Sequence, residues 1–153
     1  MSVETADSPT LAGIVATEPP RADVVAACVE LVNAEVKAKK GLGGAAIKGA
    51  YGTIKRIKPR FVSETVDALL DDWLAKMEPY HVDWRAAGSG TFEAFVTERA
   101  DAVAEDLLSV TDERAEATKH KTAGKLYFKM RPKALANVAT AVPKLGALLD
   151  QYL

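Results

Sequence analysis

Cysteine is nearly absent from the 153-residue chain. Cys28 stands alone, so no internal disulfide can form and a reducing, cytoplasmic setting is expected. Histidine is equally scarce, with only His81 and His120, which leaves a histidine-rich metal centre short of ligands. Aromatic residues make up 7% of the chain, and no aromatic-basic signature of an RNA-binding module is present. Uninterrupted apolar runs are short, so no segment reads as a membrane span. Residues 1–7 have neither a basic residue nor an apolar stretch, which argues against a secretory signal. Nor does either sign of charge prevail: Lys and Arg number 20 against 21 Asp and Glu, an overall balance unlike that of a dedicated DNA binder.

Against these absences stands an ordinary globular composition, 48% apolar and 27% charged. A chain of this length can bury roughly 70% of its unfolded surface, enough to fold unaided. Alanine is abundant, and helical spacing recurs along most of the sequence. Ser8-Pro9 reads as the start of a short helix through Leu11, Ile14 and Val15, and Pro20 as the start of a second bearing Val25, Cys28, Val29, Val32 and Val36. Leu42 to Lys58 reads as a third, with Ile47, Tyr51, Ile54 and Ile57 on one face. Its Gly44, Gly49 and Gly52 imply a closely approaching neighbour. Val62, Val66, Leu69, Trp73 and Met77 define a fourth helix, which Pro79 is expected to break. A fifth runs from Thr91 through Val96, Val103, Leu107 and Val110, and Ser109 to Asp112 could cap a separate polar element. After Lys125 to Met130, Pro132 is expected to end one helix before a last one carries Leu135, Val138, Val142, Leu145 and Leu149. Strand alternation is not seen. The expectation is an all-α fold, a compact bundle of six to eight helices over residues 8–153, behind a flexible terminus at 1–7.

Charge falls in blocks. Residues 37–60 contain eight cations and no acid: Lys37, Lys39, Lys40, Lys48, Lys55, Arg56, Lys58 and Arg60. Residues 61–118 hold 14 acidic and 4 basic side chains, and 119–153 hold 7 basic and one acidic. The simplest arrangement sets basic helices beside acidic ones in the bundle. The sharper alternative makes 37–60 a face for anionic partners, a nucleic acid or a membrane surface. The overall charge disfavours the first of these. The second lacks the large apolar side chains that interfacial helices insert.

Signals for chemistry are thin. Glu78-Pro79-Tyr80-His81 has the Glu-x-x-His spacing of helical di-iron sites, but those need two such pairs. The stripes Glu64/Asp67/Asp71 and Glu98/Asp101/Glu105 could bind a cation if buried together. They belong to two similar segments, 61–74 and 95–108, which match at 7 of 14 positions and could form a duplicated helix. Gly41-Leu42-Gly43-Gly44 lacks the preceding strand that phosphate-cradling loops have. Cys28, on an apolar face, reads as a core residue. Trp73, Tyr80 and Trp84 read as core aromatics, with a ligand pocket as the alternative.

Several stretches together carry a resemblance: Ala34-Glu35-Val36, Lys40-Gly41-Leu42-Gly43-Gly44-Ala45-Ala46-Ile47-Lys48-Gly49-Ala50-Tyr51, Lys55-Arg56-Ile57-Lys58-Pro59, Gly90-Thr91-Phe92, Asp106-Leu107-Leu108-Ser109-Val110-Thr111-Asp112 and Pro143-Lys144-Leu145-Gly146. Over about three quarters of its length the chain resembles a family of small, chiefly actinobacterial proteins, a domain of unknown function. The resemblance implies no activity and no site. The reading from sequence is therefore a soluble helical protein that works by binding, either to a protein partner or to a second copy of itself. No cofactor is called for. A small helical enzyme or metal protein using the carboxylate stripes is the rival reading, and a binder of anionic partners through 37–60 is the other.

Overall fold

The computed structural model describes residues 9–153, apart from the side chains of Leu42 and Ala123. Among these residues it is an all-α bundle of seven helices: α1 (Leu11–Val15), α2 (Pro20–Ala38), α3 (Gly41–Ile57), α4 (Phe61–Ala87), α5 (Phe92–Thr97), α6 (Ala100–Ala117) and α7 (Lys121–Asp150). Ser8 and the terminus at 1–7 lie outside the described residues. The cap of α1 is Thr10, whose Oγ1 accepts from the Gly13 amide at 2.9 Å. Pro20 opens α2, where its missing N–H would have had no partner.

Two prolines expected to end helices do not. Pro79 lies inside the 27-residue α4, and Pro132 inside the 30-residue α7. A proline leaves the carbonyl four residues earlier without its helical donor. Here those residues, Ala75 and Phe128, are exposed, so water can serve the freed carbonyls. The polar stretch after Ser109 is also not a separate element. Ser109 and Thr111 turn their hydroxyls back onto the Asp106 and Leu108 carbonyls, and α6 continues to Ala117. The resemblance between 61–74 and 95–108 produces no structural repeat, because the second segment straddles the break between α5 and α6 whereas the first is the unbroken start of α4.

α6 and α7 form an antiparallel pair. Arg131 of α7 grips both Asp112 oxygens, with Nε–Oδ1 at 2.8 Å, and reaches Glu105 at 2.9 Å; Tyr127 donates to Asp112 at 2.7 Å. The hydrogen bonds from Arg131 hold the Asp112 carboxyl below the usual carboxylate range, against the opposing effect of its burial. α4 lies against α6 of this pair, where Tyr80 donates to Asp106 at 2.6 Å. Burial and that bond push the Tyr80 phenol up to about 12.

α5 sits across the far end of α7. Its first amides, those of Phe92 and Glu93, donate to the two oxygens of Asp150 at 2.9 Å each, a helix cap supplied from a distant turn. Nearby, α5 and α7 touch backbone to side chain at Gly146. α1 docks on α4, where the Leu11 amide donates to Glu78 Oε1 at 2.7 Å. α2 crosses α4 through Arg21, which bonds Asp67 and Asp71 at 2.9 Å each. Leu11, Val15, Val24, Leu70, Met77, Phe92, Val103 and Leu149 meet in the resulting core. Full burial of an aliphatic or Phe side chain of this kind contributes about 1.5–3 kcal/mol.

α3 departs most from expectation. Cβ atoms added at Gly49 or Gly52 would meet nothing within 4 Å, so these glycines mark no close approach; only Gly44 is tight, 2.7 Å from the Lys39 backbone. Ile54 and Ile57, placed by their spacing on a packed face, are exposed. α3 is a peripheral helix, tied back to α2 by the Tyr51 hydroxyl and Lys55 ammonium on Asn33.

Candidate functional site

The helices do not fill the space they enclose. A cavity of about 400 Å³ lies among α2, α4, α6 and α7, with Ile47 of α3 at one side. Its floor is buried and apolar: Val24, Cys28, Leu70, Leu74, Met77, Leu107 and Val142. Its rim is half-exposed: Leu31, Val32, Val36, Ile47, Trp73, Val138 and Leu145. The space follows from side-chain size. α2 faces it with valines and a cysteine, and α7 with Ala134, Val138 and Ala141 at helical spacing, where bulkier residues would have met.

Polar groups on the lining are few: Glu35, Lys39, Thr111 and Asn137, with the Cys28 thiol below them. Glu35 is paired with Lys144, and Thr111 is bonded within its own helix. Lys39 donates to Asn137 Oδ1 at 2.8 Å and forms no ion pair among the described residues. The cavity thus offers an apolar interior and one ammonium group at its rim that lacks a counter-ion. Burial pushes the Cys28 thiol up to about 11, so it is protonated and inert at neutral pH, a lining group and not a nucleophile.

The residues singled out in sequence are dispersed. Of the eight cations in 37–60, Lys39 reaches the cavity rim, Lys55 bonds Asn33 and lies 5.5 Å from the Tyr51 ring centre, and Lys37, Lys40, Lys48, Arg56, Lys58 and Arg60 are exposed. None of the eight enters a salt bridge among the described residues, so the pairing of this block with acidic helices does not occur. The later basic block does pair in part, through Arg131 and Lys144. Four of the six carboxylates in the two stripes meet arginines, and among the described residues no pair across the stripes meets. Asp67 and Asp71 hold Arg21, Glu105 holds Arg131, and Glu98 meets Arg99 at 3.4 Å. No group of three or more metal-ligating side chains comes together among the described residues.

Trp73 is at the cavity, whereas Trp84 packs on His81 and Phe92. Glu78 and His81 do meet, but as packing: Glu78 receives the Leu11 amide, and His81 is buried with Nδ1 3.7 Å from Glu78 and unbonded. Burial holds the His81 imidazole below its free value of 6.5, outweighing the attraction of Glu78; Arg85 pushes the same way as burial. The folded state therefore resists a proton that the unfolded chain accepts. Stability from this group is complete above pH 6.5 and erodes as pH falls below it, until the depressed folded value is passed. Melting temperatures across mildly acidic pH are expected to decline, and His81→Leu to flatten part of that slope; an unchanged slope would show that His81 is not its source.

An all-α bundle built around an apolar cavity is the class of molecule that fold and site define. Residues 11–153 match a family of unknown function (DUF6918), and the chain belongs to that family. No curated protein and no solved structure matches it. No described helix is long and apolar enough to cross a membrane.

Proposed function

We propose that this protein binds an amphiphile with a long apolar chain and an acidic head, of which a fatty acid is the simplest example. The cavity carries this reading. Its volume of about 400 Å³ falls in the range of small-molecule sites, and its interior offers apolar surface alone. An apolar chain there would restore the contacts that the lining lacks. Lys39, already oriented by Asn137, stands where a carboxylate head would emerge. Reaction chemistry is not part of the proposal, since the thiol is protonated and the one carboxylate of the lining, Glu35, is already paired. This keeps the reading of a binding protein and changes the partner from a macromolecule to a lipid-like ligand.

Titration with cis-parinaric acid, whose fluorescence rises in apolar surroundings, tests it. Saturable, equimolar binding that unlabelled long-chain fatty acid displaces is the expected result. The matching fatty alcohol should displace less well, and Lys39→Met should bring acid and alcohol level, a change of about tenfold if the ammonium is worth about 1.4 kcal/mol. Absence of saturable binding by the parent protein would overturn the proposal.

A further inference from the structure

Seven large apolar side chains are exposed among the described residues, and their distribution is uneven. Ile54, Ile57 and Phe61 lie on α3 and its junction with α4; Leu126 and Met130 share one side of the first half of α7, with Phe128 on its other side against the end of α6. Only Val82 lies elsewhere. Ile57 is 69% and Leu126 56% exposed, and it is the grouping of such residues, not any one of them, that marks an interaction surface. The same two stretches are the basic ones. Residues 37–61 hold eight cations and residues 119–133 six, with no acidic side chain in either. Of these fourteen, only Arg131 enters a salt bridge among the described residues. The first stretch also lines the cavity through Lys39 and Ile47, and the second ends one residue before the lining residue Ala134.

We infer that α3 and the first half of α7 together form a docking face for an anionic phospholipid bilayer. Aliphatic and aromatic tips among lysines and arginines match the two layers of such a surface, acyl chains beneath and phosphate headgroups above. Charge complementarity decides the occupant. A nucleic acid would answer the cations but leave Ile54, Ile57, Phe61, Leu126 and Met130 in water, whereas an apolar protein patch would leave the cations unanswered. The membrane reading, set aside on sequence for want of large apolar side chains, returns because the helix expected to bury them exposes them. α3 suits this use, since its last turns carry Ile54 and Ile57 exposed among Lys55, Arg56 and Lys58. The inference rests on the surface and not on whether the cavity is filled.

Flotation of the full chain with vesicles tests it. The protein is expected to rise with vesicles of phosphatidylglycerol in phosphatidylcholine, to stay behind with phosphatidylcholine alone, and to be released by high salt. Lys58→Gln and Lys125→Gln should each weaken binding about fivefold. Ile57→Glu with Leu126→Glu should abolish it while leaving the circular dichroism spectrum unchanged, both side chains being exposed. No flotation, equal flotation with neutral vesicles, or a double variant that floats like the parent would each overturn the inference. So would a parent protein that ignores vesicles but retards a nucleic acid, or that dimerises through these same residues. Parinaric acid titration without vesicles reads the cavity separately, so either proposal can fail while the other stands.

Discussion

Replacing Gly146 by Val is expected to lower stability by about 1–3 kcal/mol, the usual consequence of forcing extra methyl groups into a filled contact. For a chain of this size each kcal/mol corresponds to roughly 2–4 °C in melting temperature. A Cβ at this position would stand 2.7 Å from Val96 Cγ2 and 2.8 Å from Glu93 Cα. Neither neighbour can yield freely. Val96 is fully buried, and the Glu93 amide is fixed by Asp150 one turn further along α7. Gly49→Ala is the control, with open space around its Cβ and a gain of about 1 kcal/mol in helix propensity. Thermal melts of the two variants should therefore move in opposite directions. A Gly146→Val protein that melts with the parent would show that α5 can part from α7 without loss.

Ala141→Phe is expected to abolish parinaric acid binding while holding or raising the melting temperature. Ala141 lines the cavity from α7 beside Val138 and Val142, so a phenyl ring there enters empty space and meets apolar neighbours. Filling a void stabilises by restoring dispersion contacts and removing apolar surface from water, whereas crowding a packed core destabilises. The joint outcome is informative because most substitutions that abolish ligand binding also reduce stability. The measurements are probe titration and a thermal melt on one preparation. Loss of binding with a melting temperature several degrees lower would mean that the site had been disrupted and not occupied.

Helix identity was legible in sequence wherever the apolar spacing was long, as at Val62 to Met77 or Leu135 to Leu149. What spacing does not reveal is whether anything lies opposite. Ile47, Tyr51, Ile54 and Ile57 share a periodic face, yet only the first two are sheltered; beyond the bonds of Tyr51 and Lys55 to Asn33, the last turns of α3 are uncovered. Pro79 and Pro132 misled for a related reason. The cost of a proline depends on whether water reaches the carbonyl it strands, and that is settled by the neighbours. The glycines show the same dependence: Gly49 and Gly52 face open space, whereas Gly146, for which spacing gave no packing role, is the position where two helices touch. The cavity was the least legible feature. Its sign in sequence is a modest shortage of volume, valines and Cys28 on one helix and alanines on another. A shortage on two helices becomes a void only once folding sets them face to face.

The cavity also has a mechanical meaning. Hydrostatic pressure favours whichever state occupies less volume, and unfolding eliminates voids that folding encloses, so the unfolding volume change grows more negative with internal free space. A cavity of about 400 Å³ among four helices makes that part of the bundle the compressible part, while the Arg131 clamp ties α6 to α7 and the Asp150 cap ties α5 to α7. A bound chain would stiffen the molecule from within, turning occupancy into resistance to compression.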